Sequence, residues 1–276
     1  MATGKIEGKT VFITGAGGGL GAATVRHLAR RGWHVFAADS DQKALAAVAQ
    51  DDNITAVPLD VTSMTSVAAA HAVVASACDG LDGVVNFAGI LAVGSVIELD
   101  PATIQRVLDV NVMGTIRVNH ALFPLVLQRK GRIVNISSET GWQTAMPFNG
   151  TYAMSKHAIE AYSDALRREL ALLDVPVIKL QPGPFRTAMV SSIEQKFTAV
   201  VQASVYFKEV LGKLMRMAVK EQSRANDPEV LAAAVYTALT TRSPRAAYSV
   251  KPDASRVVLN AMPDRVVDSL LKRIFR

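Results

Sequence analysis

The sequence predicts a single α/β domain with a doubly wound parallel β-sheet. Short apolar, β-rich runs alternate with helical segments, and this alternation indicates right-handed strand–helix–strand crossovers. A glycine-rich turn joins the first of these strands to the first helix. The chain of 276 residues is long enough for one large domain, and no stretch has a linker-like composition. We therefore expect one domain over residues 1–276, with about seven strands in its sheet.

The glycine-rich turn follows a buried strand at residues 11–13 and opens a helix predicted over residues 20–31. Bare backbone at such a turn lets a pyrophosphate approach the N–H groups at the positive end of the helix. An ordinary flexible turn is the alternative interpretation of a glycine cluster. We expect a phosphate site here, held by Gly15, Gly19 and Gly21.

A second strand, over residues 34–38, ends at Asp39, roughly 20 residues beyond the glycine turn. A carboxylate at this place can accept hydrogen bonds from both ribose hydroxyls of an adenosine, and it repels a 2′-phosphate. The absence of a basic residue at Gly18, Ser40 or Asp41 agrees with this interpretation. NAD is therefore favoured over NADP, whereas the alternative is that Asp39 only caps the next helix.

The later strands also end in polar residues. The third, fourth and fifth strands are predicted over residues 54–59, 81–87 and 132–137. Ligands of such sheets bind at the carboxyl ends of the strands. The residues that fall at this edge are Gly15, Asp39, Asp60 and Asn86.

Two long helices carry further candidates. The helix predicted over residues 101–129 has Asn111 near its middle, where asparagine is unfavourable, which indicates a function for this side chain. The helix that begins near residue 150 and reaches about residue 173 contains Tyr152 and Lys156. Because these residues are four apart, they lie on one helix face, one turn from each other.

Tyr152, Lys156 and Ser138 suggest acid–base chemistry on an alcohol. A phenol has a pKa near 10, and lowering it by about three units takes roughly 4 kcal/mol. The Lys156 ammonium and an oxidised nicotinamide could supply that field in a dry site. Tyr152 would then accept the alcohol proton while hydride leaves the same carbon, and Ser138 would orient the substrate oxygen. A Tyr-x-x-x-Lys pair alone also occurs by chance on helices.

Together these residues resemble the short-chain dehydrogenase/reductase (SDR) family, which comprises NAD(P)-dependent oxidoreductases with one Rossmann-fold domain. The resemblance covers residues 9–189 and continues, less specifically, to a strand at residues 246–250. The motifs that carry it are Thr14-Gly-x-x-x-Gly19-x-Gly21, Asp60, Asn86-x-Ala88-Gly89, Asn111, Ser138, Tyr152-x-x-x-Lys156, and Pro182-Gly183 with Thr187.

The resemblance implies a role for each matching residue. Asn111 would join Ser138, Tyr152 and Lys156 in a catalytic tetrad, its backbone positioning a water that relays protons through Lys156. Asp60 and Val61 would contact adenine, Asn86 and Gly89 would line the cofactor, and Thr187 would bond the carboxamide. The full implied cofactor-binding set is Thr14, Gly15, Gly19, Leu20, Gly21, Asp39, Asp60, Val61, Asn86, Ala88, Gly89, Tyr152, Lys156, Pro182, Gly183 and Thr187.

The sequence departs from the family pattern at two places. Phe87 stands where the family commonly has a small or polar residue, which affects packing more than chemistry. The interval between Ser138 and Tyr152 is one residue longer than the commonest spacing. This spacing leaves Ser137 as an alternative to Ser138 for the serine that orients the substrate.

Residues 185–225 are predicted to form a substrate lid, since in this family the segment after Pro-Gly closes over the active site. Apolar residues recur in it at helical spacing, which is also typical of an ordinary core helix. A long apolar lid favours a bulky lipophilic alcohol, as do the nearby residues Trp142, Met146, Phe148 and Met189. The Pro147-Phe148-Asn149 loop and the Pro182-Gly183-Pro184 turn look like those of the hydroxysteroid and retinol dehydrogenase branch.

The formal charge of +6 is concentrated in the C-terminal half, in residues 186–224 and 242–276. We find no nucleic-acid-binding motif that would accompany it. The amphipathic extension over residues 251–276 is expected to fold back or form a subunit interface, with a weak peripheral membrane contact as the alternative. Homodimers or homotetramers are implied by the resemblance.

The single cysteine, Cys78, and the short polar N-terminus predict a cytoplasmic protein without a disulfide. No uninterrupted apolar run approaches the ~20 residues of a membrane span. The five histidines have no ligand-like grouping, so no metal is expected.

The leading hypothesis is an NAD-dependent oxidoreductase that moves hydride between nicotinamide C4 and a lipophilic alcohol or ketone resembling a steroid, retinoid or fatty alcohol. A 3-oxoacyl thioester reductase of the same family is one alternative, against which Asp39 and the long lid count. A catalytically silent dinucleotide-binding regulator is the other, although such proteins typically lack the tyrosine or the lysine, and both are present here.

Overall fold

The computed structural model describes residues 5–186, 193–222 and 225–275. The strands in these ranges are β1 (Thr10–Thr14), β2 (His34–Asp39), β3 (Ile54–Pro58), β4 (Gly83–Asn86), β5 (Arg132–Ile136), β6 (Val177–Pro182) and β7 (Ala247–Val250). The α-helices are α1 (Gly19–Ala29), α2 (Gln42–Val48), α3 (Met64–Ala77), α4 (Pro101–Leu108), α5 (Thr115–Gln128), α6 (Gly150–Ala171), α7 (Ile193–Ala203), α8 (Lys208–Gln222), α9 (Pro228–Thr240), α10 (Ala254–Asn260) and α11 (Asp264–Phe275). A π-helical turn, Asp109–Gly114, separates α4 from α5, and a 3-10 turn, Glu139–Gly141, follows β5.

In the described part of the chain, seven parallel strands form one sheet in the order β3-β2-β1-β4-β5-β6-β7. The direction of winding reverses between β1 and β4, which places helices on both faces and opens a crevice at that point. The predicted doubly wound α/β fold is confirmed.

Apolar side chains bury both faces of the sheet. Every residue of β1 is buried, as expected for a parallel strand that is covered on two sides. On one face α1 and α9 contribute Leu28 and Leu231 to the core. On the other face α3 and α5 contribute Val74 and Leu122. This two-sided packing fixes the carboxyl ends of the strands, where the site residues follow.

The long helix predicted over residues 101–129 is interrupted by the π-helical turn. Gly114 in this turn packs closely on the segment after β3, since a Cβ at Gly114 would lie 2.6 Å from Val61 Cγ2. The apolar residues on either side of this turn continue at spacings typical of a helix, and no residue type marks a π-helical turn, so the sequence did not reveal it. π-helical turns often occur at functional sites, and this one contains Asn111.

The predicted lid contains α7 and α8. The turn between them is held by Glu98, whose Oε1 accepts from the backbone N–H groups of Val205 at 2.9 Å and Tyr206 at 2.7 Å. Phe197 of α7 and Leu211 of α8 are buried. The apolar periodicity of the segment therefore reflects packing at these two positions.

Within the described residues, one helical stretch, Pro101–Gln128, is long and apolar enough by length and composition to cross a membrane. In this fold it packs against α3, β4 and β5. Core helices of globular proteins have the same apolar character, and the packing on the sheet accounts for it.

Candidate active site

A cavity of about 610 Å³ opens at the carboxyl ends of strands β1 to β6. Predicted site residues from every one of these strand ends line its wall. They are Gly15, Gly19, Leu20, Gly21, Asp39, Asp60, Val61, Ala88, Gly89, Ser138, Tyr152, Lys156, Pro182 and Gly183. The structure thus brings the predicted phosphate turn and three of the four predicted catalytic residues, Ser138, Tyr152 and Lys156, to one cavity.

Three of the predicted residues that the structure describes are not part of that wall. Thr14, Asn86 and Asn111 lie behind it, and their side chains bond to the backbone or to other buried groups. Thr187, together with the predicted substrate contact Met189, lies outside the described residues.

The glycine turn after β1 is shaped by close backbone contacts. Gly15 has a φ of +66°, and a Cβ on it would lie 2.8 Å from Ala88 N. A Cβ on Gly21 would lie 2.1 Å from Gly15 O, so no side chain fits there. The N-cap of α1 is Gly18, which has no side chain to accept from the first N–H groups of the helix. The positive end of α1 therefore faces the cavity without a capping side chain, as an anion site requires.

Asp39 is the last residue of β2, lies at the cavity wall and orders the glycine turn. Its Oδ2 accepts from Gly17 N at 2.8 Å, and its Oδ1 accepts from Asp41 N at 2.9 Å. The alternative in which Asp39 caps α2 is wrong, because the N-cap is Asp41, whose carboxylate accepts from Ala44 N at 3.0 Å.

Asp60 occupies the neighbouring part of the wall. Hydrogen bonds from the hydroxyl and the backbone N–H of Thr62 lower the pKa of this carboxyl, and the nearby Arg106 and Arg117 lower it further. Arg106 itself lines the cavity. Sequence reasoning missed this cation because its position on α4 does not show which way the side chain points.

Asn86 belongs to a buried polar network beneath the cavity. Its Nδ2 donates to Asn119 Oδ1 at 2.7 Å and to Asn135 Oδ1 at 3.0 Å. Asn135 in turn donates to Ser163 Oγ at 2.9 Å, and Asn119 donates to the Tyr162 hydroxyl at 3.2 Å. The network ties β4 and β5 to α5 and α6, so the side chain of Asn86 supports the wall rather than lining it.

Thr14 and Asn111 hold the loop after β4. Thr14 Oγ1 accepts from Ala88 N at 3.1 Å. Asn111 Oδ1 accepts from Ile90 N at 2.7 Å, while its Nδ2 donates to Ile90 O and to Ser155 Oγ, each at 3.0 Å. The backbone carbonyl of Asn111 accepts from the Thr115 hydroxyl at 3.0 Å. Asn111 therefore links the π-helical turn, the cavity loop and the helix that carries Tyr152.

Tyr152 and Lys156 lie on the first two turns of α6, on the side that faces the cavity. The Lys156 ammonium lies 5.5 Å from the centre of the Tyr152 ring and donates to Ile136 O at 2.8 Å. This hydrogen bond fixes the lysine against the end of β5, where Ser138 follows. The predicted one-turn relation between the two side chains is confirmed.

Burial controls the protonation of both groups. It raises the pKa of Tyr152 to about 12, a change that the adjacent Ser138 hydroxyl opposes and the Glu139 carboxylate reinforces. It lowers the pKa of Lys156 to about 8, against the attraction of the Glu160 carboxylate. From the sequence, a lowered pKa of Tyr152 is expected when Lys156 and an oxidised nicotinamide act together. In the protein alone desolvation of the phenolate outweighs the favourable groups around it, and the lowered pKa in the presence of the cofactor stays a prediction.

Both serines after β5 line the cavity. The Ser138 hydroxyl lies beside the Tyr152 phenol, where it lowers the pKa of that group, and it accepts from Thr140 N at 3.2 Å. The buried Ser137 hydroxyl makes no hydrogen bond to the residues that the structure describes. The geometry favours Ser138 over Ser137 as the partner of Tyr152.

Several cavity residues escaped sequence reasoning because no motif marks them. Besides Arg106, they include the apolar residues Ile90, Val110 and Ile136, whereas Phe185, which also lines the wall, is the first residue of the predicted lid. Phe87, which the sequence flagged only as a departure, also lines the wall. Elsewhere in the described ranges, no group of three or more His, Cys, Asp or Glu could hold a metal ion.

Three of the bulky side chains that the sequence placed near the active site do not line this cavity. Trp142, Met146 and Phe148 are not among the residues lining this cavity. Phe148 instead packs edge-on against Phe207 of the lid, with ring centres 5.3 Å apart, and against Phe275 of α11, at 6.4 Å. The loop after Ser138 therefore lies between the lid and the C-terminal helix.

Comparison of the sequence with family models gives a match over residues 9–197 to the model described as short chain dehydrogenase. Among curated proteins, human retinol dehydrogenase 16 is 36% identical over 283 residues, covering 96% of this chain and 88% of that protein. Mouse retinol dehydrogenase 7 is 35% identical over 282 residues with the same coverage. Human 17-beta-hydroxysteroid dehydrogenase type 6 is 34% identical over 284 residues, covering 97% and 89%.

Solved structures share the fold at lower identity. The 3-ketoacyl-(acyl-carrier-protein) reductase of Brucella melitensis, crystallised with NADH, superposes with a TM-score of 0.74 at 24% identity, covering 88% of this chain and 97% of that one. An actinorhodin polyketide ketoreductase with NADPH gives a TM-score of 0.76 at 25% identity, covering 88% and 95%.

Proposed function

The chain belongs to the short-chain dehydrogenase family and is an oxidoreductase that acts on CH–OH groups; we propose that it interconverts a lipophilic alcohol and its carbonyl compound with NAD. One observation carries this proposal. Ser138, Tyr152 and Lys156 line the same cavity as the glycine turn and Asp39. The hydride carrier and the acid–base group are thereby expected in one site.

The residues around the cavity fit a nicotinamide dinucleotide. The uncapped start of α1 and the side-chain-free turn at Gly15 and Gly21 suit its pyrophosphate. Asp39 and Asp60 suit the ribose and adenine of the adenosine half, and Lys156 suits the second ribose. The cavity of about 610 Å³ lies within the roughly 300–1,000 Å³ of small-molecule sites.

The chain's own residues would handle the proton. When bound, the dinucleotide supplies the hydride acceptor or donor and, in its oxidised form, a positive charge. In the reducing direction the buried Tyr152 phenol, neutral because its pKa is about 12, donates a proton to the substrate oxygen. In the oxidising direction the deprotonated form of Tyr152, which the Lys156 ammonium and the positive charge of the oxidised dinucleotide would favour, accepts the alcohol proton. Ser138 orients the substrate oxygen, and Lys156 is held in place by Ile136 O.

Asp39 supports a preference for NAD over NADP. A carboxylate that accepts from the backbone N–H groups of Gly17 and Asp41 is fixed at the wall and repels a 2′-phosphate. Arg106 is a cation in the same cavity, but the Asp60 carboxylate lies near it. We therefore expect NADH to be used in preference to NADPH.

Two observations support a lipophilic substrate. The cavity wall includes the apolar side chains of Ile90, Val110 and Phe185. The relatives named above are dehydrogenases of retinol and of hydroxysteroids. A steroid, a retinoid or a long-chain alcohol is therefore the substrate class we propose.

The test is cofactor turnover by purified protein with steroids, retinoids, long-chain alcohols and 3-oxoacyl thioesters, comparing NAD(H) with NADP(H). Tyr152→Phe should abolish turnover while NADH binding persists. Tyr236→Phe, which removes a phenol hydroxyl on α9 outside the cavity and outside the buried polar network, should leave turnover intact. NADH binding without turnover of any compound would favour the silent regulator, and selective thioester reduction with NADPH would favour the 3-oxoacyl reductase.

We also propose a peripheral membrane contact through the C-terminal helices. Val266, Leu270 and Ile274 recur every four residues along α11 and are 50%, 39% and 47% exposed, and Val258 of α10 is 56% exposed. Arg265, Lys272 and Arg273 lie on the same helix as the first three. Apolar residues flanked by basic ones suit an anionic lipid surface. Replacing Val266, Leu270 and Ile274 by serine should abolish co-sedimentation with phosphatidylserine vesicles. Absence of binding by the intact protein would contradict the proposal.

Cytoplasmic location and a dimeric or tetrameric state stay predictions, the latter tested by light scattering.

A further inference from the structure

The C-terminal extension touches the loop after Ser138 at three places. Asp253 and Arg256 contact Glu139, the side chain of Asn260 accepts from Thr144, and Phe275 packs on Phe148. These contacts join residues more than a hundred positions apart in the chain. The extension is therefore attached to the segment that carries the catalytic serine.

Glu139 is the central residue of this attachment. It directly follows Ser138, begins the 3-10 turn, and its side chain is only 8% exposed. Its Oε2 accepts from Asp253 N at 2.7 Å, and its Oε1 lies 3.5 Å from Arg256 Nη1. The Arg256 side chain is itself only 19% exposed. A buried carboxylate is costly unless it is paired and hydrogen-bonded, and the extension supplies both kinds of partner.

The Glu139–Arg256 ion pair lies close enough to Tyr152 to affect the pKa of its phenol. The Glu139 carboxylate raises the pKa of Tyr152, because its negative charge disfavours a phenolate nearby. The positive charge of Arg256, which is paired with the Glu139 carboxylate, must act in the other direction. The other charged groups facing these residues are Lys156 beside the Tyr152 ring, Glu160 beside Lys156, and the Asp253 carboxylate, which accepts from Ser255 and Arg256 N.

The same segment also supports the cofactor side of the cavity. Gly183 N donates to Val250 O at 3.0 Å, and a Cβ on Gly183 would lie 2.0 Å from Lys251 O. Because Gly183 lines the cavity, residues 250–256 contact both the wall predicted to hold the cofactor and the turn that holds Ser138.

We propose that Arg256 is a positioning residue for the catalytic Ser138–Tyr152 pair. Its guanidinium holds the Glu139 side chain in place and compensates the negative charge of that carboxylate. The C-terminal extension is thereby coupled to proton transfer at Tyr152. Arg256 acts through Glu139 and does not itself line the cavity. This inference rests on the proposed function, in which Tyr152 exchanges the substrate proton.

The test measures the pH dependence of kcat/KM for alcohol oxidation in a set of variants. Arg256→Met leaves the Glu139 charge uncompensated and should move the acid limb of the profile to higher pH by about one unit. Glu139→Gln should move it to lower pH, and the double variant should return it close to wild type. Arg256→Lys should preserve the wild-type limb. Arg129→Met, which breaks the ion pair with Asp82 at the other end of the sheet, is the control and should leave the limb unchanged.

A second readout does not need turnover. The protein is labelled with 3,5-difluorotyrosine, and the fluorine resonance of residue 152 is identified by its absence in Tyr152→Phe. The pH midpoint of this resonance should be higher than wild type in Arg256→Met, lower in Glu139→Gln, and close to wild type in the double variant and in Arg256→Lys. If the wild type turns nothing over but the midpoints move as expected, the proposed function fails and the positioning role stands. If the wild type is active and Arg256→Met shifts neither the limb nor the midpoint, the positioning role is overturned. A loss of activity or stability in Arg256→Met with unchanged midpoints would also overturn it, since it would indicate a merely structural ion pair.

Discussion

Burial of Lys156 should make the stability of the protein rise with pH, and Lys156→Met should remove that rise. The ammonium lies inside the cavity wall, and burial lowers its pKa from 10.5 to about 8. The charged form is therefore disfavoured in the folded protein relative to the unfolded chain. Because the unfolded chain binds more protons between these two pKa values, the free energy of unfolding increases with pH in that range.

The magnitude follows from the same two values. With about 1.4 kcal/mol per pH unit, a pKa of about 8 in place of 10.5 corresponds to a cost of about 3 kcal/mol for charged Lys156. This cost is fully present below pH 8 and is relieved as the pH rises towards the unfolded value. Between pH 7 and pH 9.5 about 2 kcal/mol of it should be recovered.

The assay is urea unfolding of the cofactor-free protein at both pH values, for wild type and for Lys156→Met. Groups present in both proteins, Tyr152 among them, cancel in the comparison, as does the pH-independent loss of the bond to Ile136 O. Wild type should gain about 2 kcal/mol more than Lys156→Met on going to the higher pH. Lys43→Met, an exposed position on α2, is the control and should behave as wild type. Equal pH dependence in wild type and Lys156→Met would refute the argument that burial controls this lysine.

Two further predictions concern the cofactor side of the cavity. Asp39→Asn keeps the shape of the side chain but removes its charge, so the ratio of kcat/KM with NADH to kcat/KM with NADPH should fall about tenfold, or about 1.4 kcal/mol. Asp41→Asn is the matched control and should keep the wild-type ratio. An unchanged ratio in Asp39→Asn would contradict the role of Asp39. Gly21→Ala places a Cβ 2.1 Å from Gly15 O, so NADH affinity measured by fluorescence should fall at least about tenfold with a stability loss of about 1–3 kcal/mol. Gly212→Ala, whose Cβ would meet only Arg216 Nη1 at 3.7 Å, should bind NADH normally, and normal binding by Gly21→Ala would count against the turn as the phosphate site.

The parts of the fold that the sequence predicted are those governed by local pattern. Apolar runs and their spacing predicted the parallel sheet, and the edge at which Gly15, Asp39 and Asp60 meet followed from topology alone. The one-turn relation of Tyr152 and Lys156 followed from helix geometry. In each case the relevant neighbours are close in sequence or are fixed by the order of the strands.

The features that the sequence did not predict depend on tertiary contacts. Asn86 occurs in a motif, but its bonds to Asn119 and Asn135 join separate elements, and no local signal reveals them. The contact between Glu139 and Arg256 joins the serine turn to a helix near the end of the chain. The raised pKa of Tyr152 likewise depends on how completely the phenol is buried.

The most direct test of the central claim is single-turnover transfer of deuterium from a carbinol-deuterated substrate, taken from the panel above, to NAD. Wild type and Tyr236→Phe should form deuterated NADH at equal rates. Tyr152→Phe should bind NAD normally and transfer deuterium about 10²- to 10⁴-fold more slowly, as expected for the loss of a general acid–base group. Transfer by Tyr152→Phe at the wild-type rate would contradict the assignment of proton exchange to Tyr152.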